Sequence, residues 1–593
     1  MSLDNLPPHW DLSLLYTLDS PKLDRALANV LSLTEHFPMW KDRLYQPDFT
    51  PAEFSSLLGD LIHIEETASK LYCFASLSTA MDTSNQRFLS FQARISELLA
   101  ELQNATIFFE LWWKDLPEER IGPFLEAVPE HEYFLKRLRD FKPYSLSEPE
   151  EKILNFKDIT GAEAFRTLYD TYTNRYRFQS HFDPEAGGKI LTREELSVYV
   201  RSPVPAEREG AYRELYRVFS EDGPILGQIY QALVRDWRVD NVRLRGYPSS
   251  QSARNLRNDL KDEDVLSLLR VCQEEIPKVF GKYFQEKAAF LKVPKLRRYD
   301  LYAPLISLKE PEIPFEEGLK LVAEAYADFS PKLSELALKV SQERHLSARI
   351  LPGKQSGAFC QAVLPEEVPW VLMTYNGRRR DLFTLAHELG HAVHFQMAEK
   401  RGILEYHASL PMCETASTFG EMLLMRFFLK NEKDPEKKAD LLFHLLDDAY
   451  ATVARQAFFA LFEVEAHDLV DQGATVADLK DAYFRNLQRQ FGDNVMLSPE
   501  FAWEWVLIPH FFHTPFYVYA YSFGQLLVYS LWNVYEKEGE AFVPKFLHIL
   551  ERGGSASAAT ILAEVGSGPL DDNFWRGGFR VIQGFLDTLT ALR

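Results

Sequence analysis

The sequence contains few cysteines and no cysteine cluster. Its 593 residues include only Cys73, Cys272, Cys360 and Cys413, which lie far apart and form no CxxC pair. Small secreted domains held together by disulfides need many closely spaced cysteines, so this class of protein is excluded. We therefore expect a protein of a reducing compartment.

Long apolar runs and an excess of positive charge are also missing. No window holds 18 uninterrupted apolar residues, and the opening MSLDNLPPHWD lacks a basic or apolar leader, so we expect no membrane span and no signal peptide. The formal net charge is −20, with 66 Lys and Arg against 86 Asp and Glu. This charge disfavours binding to nucleic acid or an anionic membrane. We predict a cytoplasmic protein that binds neither; the sequence leaves its oligomeric state open.

Low-complexity linkers and fixed-period repeats are absent as well. Apolar residues make up 46% of the chain and aromatic residues 13%, which is typical of a globular protein. Leu, Ala, Glu and Lys recur at helical spacing along most of the chain, for example in residues 22–36, 51–81, 86–113 and 163–174. We predict a mainly α-helical fold with an amino-terminal helical lobe, residues 1–199, and a second domain, residues 200–593.

Residues 385–395 read LAHELGHAVHF and contain an HExxH motif. On a helix, His387 and His391 are separated by about 40° around the axis, so both imidazoles project from one face and can bind one Zn²⁺. Glu388 lies beside them and can take a proton from the attacking water. The alternative is a buried helix with ordinary core histidines, but two histidines on one buried face are costly without a partner. The motif therefore predicts a catalytic metal site.

The motif leaves the metal one protein ligand short, because a catalytic zinc site normally has three and keeps a fourth position for water. His394 shares nearly the same helix face but lies about 10 Å along the axis from His387. A metzincin would need His at position 397, where this chain has Met397. Glu414, on a second helical segment, is our predicted third ligand, and His394 is the alternative. Glu421, two turns after Glu414, could accept a hydrogen bond from a ligand imidazole.

Short segments rich in strand formers interrupt the helical pattern. Residues 357–363 and 370–375 precede the motif helix, and we predict that they form a small sheet beside the metal site. An exposed edge there would let an extended peptide pair through main-chain hydrogen bonds, although plain structural strands fit the sequence equally well. Residues 178–182, followed by Gly187 and Gly188, predict a short hairpin.

The most aromatic region, residues 501–523, offers hydrogen-bond donors for catalysis. Amide hydrolysis passes through a tetrahedral intermediate whose developing oxyanion must be stabilised by donors. Histidine and tyrosine side chains can donate at neutral pH. We predict that His510 and Tyr521, and after them Tyr517, serve in this way.

Tyr517 and Tyr521 are four residues apart and follow Pro515, a residue suited to the first turn of a helix. We therefore predict that a helix starts at Pro515 and presents both tyrosines on one face. Tyr519 is expected to be a core residue.

Residues 371–394, VLMTYNGRRRDLFTLAHELGHAVH, and the later ETASTFGE resemble the oligoendopeptidase F branch of the thimet-oligopeptidase-like zinc peptidases. Further similar stretches span nearly the whole chain: His9-Trp10-Asp11-Leu12-Ser13, Arg245-Gly246-Tyr247, Gly357-Ala358-Phe359 and Ile508-Pro509-His510. The resemblance implies a zincin-like helical fold with a deep substrate channel. It also implies one Zn²⁺ per chain, bound by the two motif histidines and a downstream glutamate. In that family a histidine in the aromatic loop and tyrosines beyond it assist catalysis. The thimet-type glycine-rich stretch is replaced here by His513-Thr514-Pro515.

We predict a hydrolase, a zinc-dependent endopeptidase that cleaves short peptide substrates. Residues 200–593 would be its catalytic domain. A zinc carboxypeptidase or peptidyl-dipeptidase with a similar motif helix is an alternative within enzymes. A peptide-binding scaffold with a structural zinc is the alternative outside them. A structural site would have four protein ligands, and no fourth cysteine or histidine stands at the usual spacing.

The choice of third ligand gives the first testable prediction. Glu414→Ala should lower the zinc content per chain, because a site with two imidazoles alone binds zinc more weakly. His394→Ala should leave the zinc content unchanged. Elemental analysis of the purified variants measures both. Unchanged zinc in Glu414→Ala together with zinc loss in His394→Ala would transfer the ligand role to His394.

Overall fold

The computed structural model describes residues 10–183, 188–304 and 312–592. Within these residues α-helices dominate, and none is long and apolar enough to cross a bilayer. His9 and Gly187, which belonged to the predicted opening motif and hairpin, lie outside the described residues.

The helices of the first half of the chain are α1 Pro21–His36, α2 Met39–Leu44, α3 Pro51–Met81, α4 Gln86–Asp115, α5 Glu118–Ala127, α6 Glu132–Asp140, α7 Glu148–Thr160, α8 Ala162–Asn174, α9 Arg193–Tyr199, α10 Pro205–Glu221, α11 Gly223–Trp237, α12 Ser252–Arg257 and α13 Asp262–Phe290. Those of the second half are α14 Phe315–Ala327, α15 Pro331–Gln342, α16 Arg379–Met397, α17 Leu410–Cys413, α18 Thr415–Asn431, α19 Pro435–Ala449, α20 Arg455–Asp471, α21 Val476–Phe491, α22 Pro509–His513, α23 Tyr519–Glu538, α24 Val543–Glu551, α25 Ala558–Glu564 and α26 Asp572–Ala591.

Seven short strands form three small sheets: β1 Phe178–Gln179, β2 Ile190–Leu191, β3 Leu296–Arg297, β4 Leu346–Ser347, β5 Phe359–Gln361, β6 Trp370–Leu372 and β7 Val495–Met496. Strands β1 and β2 pair antiparallel, as the predicted hairpin requires, and β3 pairs parallel to β7. The third sheet has the order β4-β6-β5, with β4 parallel and β5 antiparallel to the central β6. The predicted mainly α fold with a small sheet next to the motif helix is confirmed, whereas the substrate channel stays a prediction.

The chain folds into two compact units. The first consists of Met1–Lys142, Lys309–Lys430 and Lys537–Gly566, and the second of Pro143–Leu308, Asn431–Glu536 and Ser567–Arg593. Each unit combines three separate stretches of sequence, so neither coincides with residues 1–199 or 200–593. The domain boundary that the sequence suggested near residue 199 therefore stays a prediction.

The core of the first unit is built on α3 and α4. A capping box of Thr50 and Glu53 starts α3, with Pro51 at its first position. The Phe54 ring stacks on Trp113 of α4 at a centroid distance of 5.3 Å. Trp370 of β6 is fully buried in the same core, where its ring lies 6.1 Å from that of Trp10. The small sheet is therefore fixed to a large aromatic core.

Helix α16 begins at Arg379, after a six-residue loop that follows β6. The Asp381 carboxylate accepts hydrogen bonds from the backbone N–H groups of Asn376 and Arg378 at 2.7 and 3.1 Å, which satisfies donors at the helix start. Helix α16 then packs against α14, α15, α24 and the β5–β6 pair. A helix held on several sides in this way is a rigid support for side chains.

At Gly390 the backbone of α16 lies directly against the start of α18. A Cβ atom there would lie 2.5 Å from the Ser417 Cα and 2.6 Å from the Ala416 carbonyl oxygen. These are backbone atoms, which cannot rotate away as a flexible side chain would. Glycine at this position therefore sets the spacing of the two helices.

We predict that Gly390→Ala destabilises the protein by about 1–3 kcal/mol, the usual range for overpacking, and lowers its metal content. Gly59→Ala on α3 is the matched control, because an added Cβ at Gly59 meets no atom within 4 Å. That control should raise stability by roughly 0.5–1 kcal/mol through the better helix propensity of alanine. Denaturant unfolding and elemental analysis measure the two effects. A Gly390→Ala protein as stable as Gly59→Ala would contradict the close packing.

Candidate functional site

Three predicted ligands converge in the first unit. The Nε2 atoms of His387 and His391 each lie 3.3 Å from the Oε2 atom of Glu414. The two imidazole rings are 4.8 Å apart and nearly perpendicular, at 84°. Among the described residues, this is the one group of three or more His, Cys, Asp or Glu side chains whose donor atoms lie close enough together to hold a metal ion. Two nitrogens and one carboxylate oxygen match the ligand types that zinc prefers, so the residues fit a catalytic zinc.

Glu414 reaches this position through a break between two helices. It follows α17 and precedes α18, with φ −84° and ψ 0°. The Ser417 hydroxyl, one turn later, donates a hydrogen bond to Glu414 Oε2 at 2.7 Å. Although burial opposes the effect, contacts with His387 and His391 hold the pKa of Glu414 well below its usual range. The carboxylate is therefore charged and fixed in place.

Glu421 contacts the far side of one imidazole. Its Oε1 atom lies 2.6 Å from His387 Nδ1, while His387 Nε2 faces Glu414. A hydrogen bond from Nδ1 to a carboxylate orients the ring and leaves the Nε2 lone pair free for a metal. This is the arrangement expected for Glu421 from the sequence.

Glu388 is the buried acid of the motif. Its side chain is 6% exposed, and its Oε2 atom has no hydrogen-bond partner among the described residues. Burial raises the pKa of Glu388, an effect that the neighbouring His387 and His391 oppose. A buried carboxyl oxygen that lacks a partner is suited to receive a proton from a water molecule or a substrate.

His394 lies apart from the group of three. It is buried, and burial lowers its pKa to about 4, so the imidazole is neutral at ordinary pH. Its polar contact is with the backbone of Cys413. The structure thus brings Glu414, and not His394, to His387 and His391.

The sequence did not identify Tyr326 of α14 as part of this region. Its hydroxyl donates a hydrogen bond to the Ala386 carbonyl of α16, and the same hydroxyl would meet a Cβ at Gly420 of α18. Tyr326 therefore packs between the two helices that carry the ligands. No local pattern around residue 326 signals this role, since the contact depends on packing. The Ser417 hydroxyl lies three residues after Glu414, and that spacing could have indicated it.

The predicted oxyanion donors form a cluster in the second unit. His510 belongs to α22 and Tyr521 to the first turn of α23, and Tyr521 Oη lies 3.2 Å from His510 Nε2. The Tyr517 ring is parallel to the His510 imidazole within 4°, at a centroid distance of 5.6 Å. Burial lowers the pKa of His510, and the nearby His513 lowers it further. At neutral pH the His510 imidazole is therefore uncharged, with one nitrogen that donates and one that accepts.

The predicted helix start at Pro515 is wrong. Helix α23 begins at Tyr519, and Phe516 adopts a left-handed conformation with φ +57°, which no α-helix contains. Tyr517 and Tyr521 are nevertheless adjacent, with ring centroids 5.3 Å apart. Tyr519 is fully buried and its hydroxyl accepts a hydrogen bond from Asn258, so its predicted place in the core is confirmed.

Comparisons with known proteins identify the family. A model of peptidase family M3 matches residues 198–579, which is more than half of the chain. A second model, described as Oligopeptidase F, matches residues 112–178. The chain belongs to peptidase family M3. The predicted metallopeptidase is confirmed at the level of this family, which implies a metal.

Relatives extend over the whole length of this M3 peptidase. Oligoendopeptidase F, chromosomal, of Lactococcus lactis subsp. cremoris is 26% identical over 596 residues, covering 98% of this chain and 97% of the relative. Oligopeptidase PepF of Bacillus subtilis (strain 168) is 24% identical, covering 85% and 75%. A solved structure of a putative peptidase from Chlamydophila abortus has a TM-score of 0.87 at 23% identity, covering 100% and 99%. Oligoendopeptidase-F from Enterococcus faecium has a TM-score of 0.70 at 22% identity, covering 95% and 98%. These structures share the fold of this chain.

The contact between Glu421 and His387 generates a prediction. Glu421→Ala should weaken metal binding about 10- to 100-fold, because the His387 ring loses the partner that orients it. Glu421→Gln keeps an acceptor oxygen and should lose less metal affinity than Glu421→Ala. Glu399→Ala, an exposed residue just after α16, is the control and should bind metal like the unaltered protein. Competition with a chromophoric chelator measures the affinities; equal affinity in all variants would refute the orienting role.

Proposed function

We propose that this M3 peptidase is a zinc-dependent endopeptidase that hydrolyses internal bonds of short peptides. The observation that carries the proposal is the convergence of His387, His391 and Glu414, with the unpartnered carboxyl oxygen of Glu388 on the same helix. The names of relatives, which include oligoendopeptidase F, support the substrate class.

In this proposal His387, His391 and Glu414 hold one zinc ion per chain. When bound, zinc polarises the scissile carbonyl and lowers the pKa of the attacking water. Glu421 keeps His387 in the tautomer that carries hydrogen on Nδ1, so Nε2 remains available as a ligand. Ser417 prevents rotation of the Glu414 carboxylate by donating to its Oε2 atom.

Glu388 serves as the general base and then as the general acid. Its carboxylate removes a proton from the water as the water oxygen forms a bond to the scissile carbonyl carbon. The proton then moves from Glu388 to the leaving nitrogen as the C–N bond breaks, which yields a carboxylic acid and an amine; the acid's proton passes to the amine, so the products are a carboxylate and an ammonium group. Low exposure keeps bulk water away from the carboxylate during these transfers.

His510 or Tyr521 donates a hydrogen bond to the developing oxyanion, with Tyr517 as an auxiliary donor. A neutral His510 carries a single ring N–H, so the tautomer decides which of the two donates while they are in contact. If His510 Nε2–H donates to the Tyr521 oxygen, the Tyr521 hydroxyl hydrogen stays free for the substrate. Tyr521 is 36% exposed, so its hydroxyl can reach a bound molecule.

Strand β5 binds the main chain of the substrate. It lies at the end of the sheet order β4-β6-β5, so one of its sides has no strand partner within the described residues. An extended peptide could pair with that side through backbone hydrogen bonds, which recognise length and direction without strong side-chain preference. Helix α16 packs against β5, so a peptide on this edge lies near the ligands.

Two further assignments belong to the same proposal. The M3 match begins at residue 198, which supports residues 1–199 as an amino-terminal lobe and residues 200–593 as the catalytic domain. All four cysteines are free thiols, which supports a cytoplasmic location.

The decisive experiment uses a peptide blocked by acetylation at one end and amidation at the other. We expect internal cuts, detected by mass spectrometry, that disappear with a zinc chelator and return with added Zn²⁺. A carboxypeptidase or a peptidyl-dipeptidase needs the free terminus and would leave this peptide intact. If only the unblocked peptide were cleaved, a carboxypeptidase or peptidyl-dipeptidase activity would replace the endopeptidase assignment.

Glu388→Gln tests the base. The variant should keep its metal, because Glu388 is not a ligand, and should lose turnover by about 10²- to 10⁴-fold. Glu399→Gln controls for the loss of one acidic group near α16 and should keep full activity. Metal content and kcat are measured on the same preparations. Ordinary turnover by metal-loaded Glu388→Gln would refute the base assignment.

A further inference from the structure

The turn between α22 and α23 contains a strained residue. Phe516 has φ +57°, a conformation that is uncommon for any residue with a side chain and unfavourable for a bulky one. Strain of this kind costs of order 1–3 kcal/mol and persists only where surrounding contacts impose it. The contacts around Phe516 therefore require explanation.

One peptide group in this turn is held at both of its polar atoms. The Pro515 carbonyl oxygen accepts a hydrogen bond from Arg254 Nε of α12 at 3.1 Å. The Phe516 N–H, on the other side of the same peptide bond, donates to Glu463 Oε1 of α20 at 2.8 Å. Glu463 is fully buried. Two ionisable side chains from two helices thus fix the plane of a single peptide group.

Neighbouring side chains hold the turn on both sides. The Phe516 ring is buried against the His467 and Trp237 rings, at centroid distances of 4.4 and 6.3 Å. Three residues later, the Tyr519 hydroxyl accepts a hydrogen bond from Asn258 at 2.8 Å. The anchored turn leads directly into Tyr517 and Tyr521.

A rotation at Phe516 would displace the tyrosines from His510. The parallel stack of His510 on Tyr517 and the 3.2 Å contact between His510 and Tyr521 join residues on opposite sides of the turn. Hydrogen-bond donors stabilise a transition state only when they are aimed at the developing charge before the reaction. The orientation of this peptide group therefore determines where the tyrosine hydroxyls lie relative to His510.

We propose that Arg254 and Glu463 are positioning residues that clamp the Pro515–Phe516 peptide group and thereby hold the donor cluster of His510, Tyr517 and Tyr521 in its catalytic arrangement. This inference rests on the proposed function, because it assumes that the cluster donates to the oxyanion.

The protonation of Glu463 agrees with this role. Burial raises the pKa of Glu463 to about 8, although the Phe516 N–H and Arg254 oppose the shift. The carboxyl is therefore largely protonated near neutral pH, and its carbonyl oxygen can still accept the Phe516 N–H. A glutamine side chain offers the same acceptor without charge.

Substitution of Glu463 separates the acceptor role from simple packing. Glu463→Leu should lower kcat about tenfold to a hundredfold, the scale of a misplacement near 1 Å, with KM within about twofold and unchanged metal content. Glu463→Gln should stay close to the unaltered enzyme, because it keeps the acceptor. Glu465→Gln on the same helix, whose carboxylate pairs with Arg489 and Arg485, is the control. A loss in Glu463→Gln as large as in Glu463→Leu would overturn the proposal.

A double-mutant cycle tests whether Glu463 acts through the donors. In a His510→Ala/Tyr521→Phe background, Glu463→Leu should lower kcat by less than about twofold, because the two principal donors that it positions are already gone and only the auxiliary Tyr517 remains. An equal loss in both backgrounds would show a general structural role and overturn the proposal. Arg254→Leu acts on the carbonyl side of the same peptide group and should show the same dependence on background, which covers the case where Glu463→Leu folds poorly.

Amide hydrogen exchange distinguishes failure of the clamp from failure of the proposed function. The Phe516 N–H should be protected in the unaltered enzyme and in Glu463→Gln, and should exchange faster in Glu463→Leu. Unchanged exchange in Glu463→Leu would overturn the clamp itself. Full activity of His510→Ala/Tyr521→Phe would instead refute the donor role and, with it, the catalytic purpose of the clamp, whatever the exchange shows.

Discussion

The metal site depends on the close approach of α16 to α18. His387 and His391 lie one helical turn apart on α16, and Glu414 enters from the start of α18. The Nε2 atoms of both histidines lie 3.3 Å from the Glu414 carboxylate, and Gly390, between the two histidines, has no side chain that would keep the backbone of Ser417 away. Tyr326 then links the pair by its hydrogen bond to Ala386. The contact between α16 and α18 at Gly390 thus supports the three ligands, the groups that orient them and the buried Glu388.

Local periodicity was enough to predict the first part of the site. The spacing of His387 and His391 places them on one helix face in any environment, and Glu388 follows from the same motif. Glu414 lies 23 residues beyond His391, and its approach depends on the loop and the packing between them. No rule of spacing connects them; the choice over His394 rested on the distance of about 10 Å along the helix between His394 and His387, and the resemblance to a known family agreed with it. The contact of Tyr326 with Ala386 spans 60 residues and had no signal at all.

The helical class of the fold followed from composition and spacing, and so did the pairing of β5 with β6. Strand β4 was missed because two residues, Leu346 and Ser347, are too few to show a pattern. The start of α23 was misplaced because Pro515 suits a first helical turn locally. Contacts from Arg254 and Glu463, which are distant in sequence, impose a left-handed Phe516 instead and delay the helix to Tyr519. Tertiary contacts here override a local preference.

The interleaving of the two units has a consequence for biosynthesis. The first unit includes Lys537–Gly566, in which α24 packs against the motif helix, and the second includes Ser567–Arg593, in which α26 packs against α13 and α19. A nascent chain therefore cannot finish one unit before it starts the other, as chains with sequential domains do. The ribosome must deliver almost the entire polypeptide before either core can close, and until then helices such as α13 and α16 lack a neighbour. Premature termination near residue 536 would leave both units incomplete rather than release one intact.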